Sequence, residues 1–307
     1  MNEFYPEGRL LNSKRNQEAL RSVKNITEAF YEGRILEGRA IICNNEHDLI
    51  VDLGCMKGII PREEGALGIR EGKIKDIAVI SRVNKPVCFV IDGFITDSKG
   101  EQRAVLSRRK AQEICVNEYI DRLTAGDVID AAITHLESFG AFADIGCGIV
   151  ALMPIDTISI SRIDHPRERF SVGMNIKAVI KNKDNGKISL THKELLGTWQ
   201  ENADLFAPNE TVAGIVRSVE EYGAFIELTP NLSGLAEYKD GIRPKQQASV
   251  YIKSIIPNRM KIKLIIVDTF DYEYMPQQPK YFINSGHIDK FTYSPESCSK
   301  IVESVFK

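Results

Sequence analysis

The chain has little that points to metal or covalent chemistry. Its six cysteines, Cys43, Cys55, Cys88, Cys115, Cys147 and Cys298, stand apart, with no Cys-x-x-Cys pair and no histidine at ligand spacing. They read as buried free thiols of a reducing compartment, and neither a metal nor a cofactor is expected. No phosphate loop, nucleophile elbow or dinucleotide fingerprint occurs. Asp144, Asp184 and Glu227 fall one per strand or hairpin, without a paired carboxylate, so catalysis is not expected. The apolar runs, such as residues 262–267, are too short to span a bilayer. The opening Met1-Asn2-Glu3-Phe4-Tyr5-Pro6 has no basic stretch followed by an apolar one, so no signal peptide is expected. Charge of one sign is also missing. The net charge is −2, whereas a phosphate-binding protein ordinarily carries a basic footprint. Apolar content of 43% and charged content of 27% are ordinary for a soluble chain of several domains.

What is present is repetition. Glu137-Ser138-Phe139-Gly140-Ala141-Phe142-Ala143-Asp144-Ile145 recurs as Glu220-Glu221-Tyr222-Gly223-Ala224-Phe225-Ile226-Glu227-Leu228. A segment copied within one chain marks a duplicated structural unit. At strand period Ala141, Ala143 and Ile145 share one face, and Phe142 and Asp144 the other. The second copy sorts Ala224, Ile226 and Leu228 from Phe225 and Glu227 in the same way. A phenylalanine on the side of a carboxylate faces water on this reading. Two such rings beside a glycine form a stacking platform for bases.

The pattern extends around each copy. From Ala125-Gly126-Asp127-Val128 to the Asp184-Asn185-Gly186 turn and Lys187-Ile188-Ser189-Leu190, tight turns divide five short strands, which predicts a small closed barrel. The last unit starts near Asn209 and is shortened. The first is a diverged copy in which His47 and Ile50 stand where Phe139 and Phe142 do. The expected organisation is an N-terminal helix (1–32), a degenerate repeat (33–106), a helical linker (107–124), a full repeat (125–193), a second linker (194–208), a shortened repeat (209–267) and a C-terminal α/β cap (268–307). Ser13 caps the N-terminal helix over 14–31, whose apolar side (Leu20, Val23, Ile26, Phe30) needs a partner, either the first barrel or a larger assembly. Trp199 lies on the apolar stripe of the second linker and reads as packing. Ser294-Pro295 predicts a helix start, with Ile301, Val302, Val305 and Phe306 as its stripe, covering the last barrel.

Phe-Gly-Ala-Phe, the His165-Pro166 loop, Val172-Gly173-Met174 and the closing Gly186-Lys187-Ile188-Ser189-Leu190-Thr191-His192-Lys193 resemble the S1-type RNA-binding repeat, an OB-fold barrel. The resemblance implies a mainly β chain with helical linkers: three tandem five-stranded OB barrels, an N-terminal helix and the small cap. It further implies that single-stranded RNA lies across one barrel face. The family's aromatics map onto Phe139 and Phe142, and onto Tyr222 and Phe225; its hairpin acid and base map onto Asp184 and Lys187. The family histidine after the third strand falls on Leu152 and Glu237 and is missing from both repeats. Lys177, Arg217, Arg259, Lys261 and Lys263 are the candidate phosphate contacts. The function implied is that of a cytoplasmic, non-catalytic protein that holds messenger RNA near the small ribosomal subunit. Barrels two and three would take the RNA; the N-terminal helix and first repeat would dock on the subunit, with no membrane partner. The rival expectations are a ribosome-docking adaptor that does not bind RNA and an accessory factor in RNA decay or processing.

Overall fold

A computed structural model describes residues 3–96, 100–184, 186–271 and 275–307. Met1 and Asn2 of the opening segment, Asn185 of the expected hairpin turn and residues 272–274 of the tail lie outside the described residues. The chain divides into two compact units, Met1–Leu123 with Asp144–Val150, and Thr124–Ala143 with Ala151–Lys307.

In the first unit β1 (Leu36–Cys43), β2 (Leu49–Asp52), β3 (Lys57–Ile60), β4 (Pro86–Thr96) and β5 (Gln102–Ser107) close a barrel in the order β1-β2-β3-β5-β4. The closing pair is parallel, with Lys57 opposite Arg103 and Ile59 opposite Val105. Closure leaves no free sheet edge. The expected single N-terminal helix is two, α1 (Lys14–Leu20) and α2 (Val23–Tyr31). Ser13 Oγ accepts from Asn16 N and Ser22 Oγ from Asn25 N, each at 3.2 Å, so a second capping serine ends one helix and starts the next. Ala19, Ile26 and Ala29 enter the barrel-one core beside Leu36, Val51 and Leu106, and Leu20 and Phe30 pack against it. The apolar stripe is therefore folded back on its own barrel. Val23, expected on that stripe, is exposed. The short α3 (Ile77–Ile80) precedes β4, and α4 (Arg108–Glu118), capped by Ser107, follows β5.

The second unit carries two barrels. β6 (Val128–Glu137), β7 (Gly140–Asp144), β8 (Val150–Pro154), β9 (Asn175–Asp184) and β10 (Lys187–Thr191) close in the order β10-β8-β7-β6-β9. β11 (Thr211–Glu220), β12 (Gly223–Thr229), β13 (Leu232–Ala236), β14 (Gln247–Ile256) and β15 (Lys261–Phe270) close as β11-β12-β13-β15-β14. The alternation predicts the insides: Ala141, Ala143, Ile145, Ala224 and Ile226 are all buried. The glycine of the copied motif is steric. A Cβ on Gly140 would lie 2.5 Å from the Met153 carbonyl oxygen, and one on Gly223 2.3 Å from that of Ala236. Only a residue without a side chain lets the third strand pass there.

The linker between these barrels is shorter than its apolar spacing suggests. A 3₁₀ turn (Lys193–Leu196) precedes α5 (Trp199–Ala203), which opens on a Thr198–Glu201 capping box. Gly197, at φ 85°, breaks the helix. Trp199 is buried in the core that barrel three shares with the linker.

The tail differs from expectation in two respects. It forms a two-stranded sheet, β16 (Lys290–Thr292) with β17 (Glu303–Val305), and no helix follows Ser294-Pro295. Ser294 Oγ instead accepts from Val302 N at 3.1 Å across the hairpin. Burial then alternates: Val302 and Phe306 pack inward, whereas Ile301 and Val305 face out. The tail also covers more than the last barrel. Ile288 N donates to Gly126 O (2.9 Å), Phe282 N to Leu195 O (2.9 Å) and Tyr293 Oη to Asn231 O (2.5 Å). It thus ties barrel two, the linker and barrel three into one body.

Candidate nucleic-acid interface

Phe139 and Phe142 stand at the start and middle of the β7 hairpin of barrel two, with ring centroids 6.0 Å apart and planes at 90°. Tyr222 and Phe225 repeat this in barrel three at 6.3 Å and 88°. Phe139 is 55% exposed and Tyr222 68%; Phe142 is half-buried. Each pair therefore offers an open ring braced edge-on by a less exposed one, a geometry that leaves one aromatic face free for a base.

The structure adds a ring that motif reasoning missed. His135 of β6 lies 6.2 Å from Phe142 with its plane tilted by 34°, and its Nε2 lies 2.6 Å from Glu137 Oε1. His135 thus flanks Phe142 from the adjacent strand β6, two strands from Leu152 on β8. The signal was available, since β6 also alternates, but the family pattern directed attention to the strand after Phe142.

In barrel three the pairing runs from Phe225 to Leu235 on β13 and from Leu235 to Lys263 on β15. Tyr222, Phe225, Leu235, Lys253, Lys261 and Lys263 line a groove of about 490 Å³. Lys261 and Lys263 thus sit beside the rings, and Lys253 joins them unforeseen. Arg259 is exposed on the adjoining 3₁₀ turn, Pro257–Arg259, outside the groove lining. In barrel two Lys187 stands opposite Asp184 in the β9–β10 ladder, and Ser189 pairs with Leu152 of β8. Lys177 is held by Asp130 at 2.8 Å and is not gathered with the rings.

Arg217 is a correction. It binds Glu227 through Nε (2.7 Å) and Nη2 (3.1 Å), while Nη1 binds Glu168. Its side chain is nearly buried, so it is a structural cation and not a phosphate contact. The carboxylates on the ring side of each strand are a second correction. Asp144 is 3% exposed and Glu227 4%. Each is covered by a segment distant in sequence. Asp144 Oδ2 accepts from Glu7 N at 2.7 Å and Oδ1 from Gly146 and Gly148 N. Glu227 Oε2 accepts from Arg169 Nη2 at 2.6 Å. Burial first, then the nearby Glu7 charge, pushes the Asp144 carboxyl up to about 7.

Residues 122–193 match the family described as the S1 RNA binding domain. With three closed five-stranded barrels around two copies of one ring pair, that match decides the family. This is an S1-repeat protein. The chain is similar to small ribosomal subunit protein bS1 from Leuconostoc lactis, 30% identical over 234 residues, 73% of this chain and 51% of that protein. It is also similar to the bS1 protein of Staphylococcus aureus, 27% identical over 307 residues, 93% of this chain and 75% of that one. The chain thus spans about half the length of the first relative and three quarters of the second. A crystal structure of a Streptococcus pneumoniae multidomain protein with nucleic acid binding domains covers 77% of this chain at 14% identity and a TM-score of 0.25, too low to carry an argument. Among the described residues no helix is long and apolar enough to cross a membrane, and no group of three or more His, Cys, Asp or Glu could hold a metal ion.

Proposed function

We propose that this S1-repeat protein binds single-stranded RNA across the ring faces of barrels two and three, and that it acts in the cytoplasm by holding messenger RNA near the small ribosomal subunit. The observation that carries this reading is the doubled edge-to-face ring pair, exposed in both barrels and flanked by lysines in barrel three. Stacking contributes about 1–3 kcal/mol per base, so two ring pairs suffice for a weak module that gains from acting in series. The RNA contacts are Phe139, Phe142 and His135 with Lys187 and Asp184 in barrel two, and Tyr222, Phe225, Lys261 and Lys263 in barrel three, with Arg259 at its edge. Barrel one takes the docking role. Its corresponding row of pairs runs Ile42–Ile50–Ile59–Val105, aliphatic throughout, so that row offers no ring for a base. No catalytic step is assigned to the protein.

The test is a titration of labelled single-stranded RNA against the full chain at low salt, with Phe142→Ala and Phe225→Ala as variants. Saturable binding that each substitution weakens supports the reading. Absence of saturable binding at low salt favours the docking adaptor that takes no RNA.

A further inference from the structure

A second cavity, of about 370 Å³, lies in the second unit and shares no lining residue with the barrel-three groove. Its volume falls in the range of small-molecule sites. Phe170, Leu196, Phe206, Leu228 and Phe282 supply apolar walls from four separate stretches of chain. Arg169, itself only 8% exposed, also lines it. Arg169 donates through Nε to Ser159 Oγ (3.3 Å) and through Nη2 to Glu227 (2.6 Å); among the described residues nothing accepts from Nη1. Glu227 is shared with Arg217, whose other carboxylate partner, Glu168, also lines the cavity. Nη1 thus has a hydrogen bond still to give at the cavity wall, and a charge-assisted bond to an anion is the strongest it could make. Burial holds the Arg169 guanidinium below its ordinary value, against the opposing pull of Glu227. Lys280 adds a second cation, and Gln277 and Gln278 add amides of both hydrogen-bonding senses.

We propose that this cavity binds a nucleoside monophosphate unit, its phosphate on Arg169 Nη1 and Lys280 and its base among Phe170, Phe206 and Phe282. The partly exposed rings of Phe206 and Phe282, with the buried Phe170, favour a planar body over an alkyl chain, and the two glutamines can read a base edge. The unit is either a free nucleotide or the terminal nucleotide of an RNA chain. The site is independent of the ring faces, and either can fail alone.

The experiment measures binding to the full chain of AMP, GMP, CMP and UMP separately, and of a short RNA bearing either a 5′-phosphate or a 5′-hydroxyl. The variants are Lys280→Gln and Phe282→Ala, both at exposed positions, with Phe225→Ala as the ring-face control. The expected result is saturable binding of at least one nucleotide, weakened about fivefold or more, near 1 kcal/mol, by each cavity variant and unchanged by Phe225→Ala. A preference for 5′-phosphorylated RNA that Lys280→Gln removes identifies the occupant as an RNA terminus; equal binding of both RNAs identifies the free nucleotide. Three results overturn the proposal: no saturable binding of any nucleotide at millimolar concentration, binding that follows Phe225→Ala alone, or tighter binding of laurate than of every nucleotide.

Discussion

Phe142 and Arg217 show how two residues with equal claims in sequence part company in the fold. The Phe142 ring is braced by Phe139 and His135 and lies at the surface of its barrel. Phe142→Ala is expected to weaken RNA binding by about 1–3 kcal/mol while the thermal midpoint moves little. A large loss of stability would show that the ring is core. Arg217 holds two carboxylates in a nearly dry setting. Arg217→Ala leaves Glu227 short of one of its two cations and should cost unit two about 3 kcal/mol in urea unfolding. Lys263→Ala, at the open groove, should leave stability unchanged and reduce the salt slope of RNA binding by about one.

Among elements, the strands were legible and the helices less so. Alternation in β7 and β12 predicted which residues point inward, because a strand sorts its side chains by parity whatever surrounds it. It could not predict that Glu7 and Arg169 would arrive from elsewhere to cover Asp144 and Glu227. Helix lengths failed at Ser22 and Gly197, where a local cap or a left-handed backbone outweighs an apolar stripe that runs through. Replacing Ser22 with alanine should cost unit one about 1 kcal/mol, read as the shift in its unfolding midpoint, and leave RNA affinity untouched. His135→Ala on β6 should weaken RNA binding by about 1 kcal/mol, the lower end for a stacked ring, whereas Ile50→Ala on β2 should scarcely alter it. Equal losses from the two would refute the division between barrels.

For the molecule as a whole, the first unit carries a pH dependence that no motif announced. Glu37 is buried and accepts from Gly8 N (3.0 Å) and Leu11 N (2.8 Å) on one oxygen, while Oε1 has no partner. Burial, and then the Glu7 charge, pushes it up to about 8. Asp144 moves the same way, to about 7. Both folded values exceed those of the unfolded chain, so the folded unit holds these protons more tightly. That contribution is complete below the ordinary carboxylate range and fades as pH rises toward 8. Hydrogen exchange of the β1–β5 amides should therefore report a loss of order 3 kcal/mol between pH 5 and pH 8.5, most of it abolished by Glu37→Gln. Glu7 acts oppositely. Burial alone would raise it, but Arg108 and Arg82 hold it below its usual value, so its share is lost in acid.

The amino-acid order alone determined the repeat, the barrels, the inward faces and the rings, because each rests on contacts between near neighbours or on strand parity. It could not determine which charges are spent on one another. Arg217, Asp144 and Glu227 look free in a linear reading, and only when distant segments meet does burial force each to take a partner; Lys177 pairs with Asp130 across a strand ladder while still partly exposed. The same meeting of segments leaves Arg169 with a donor to spare.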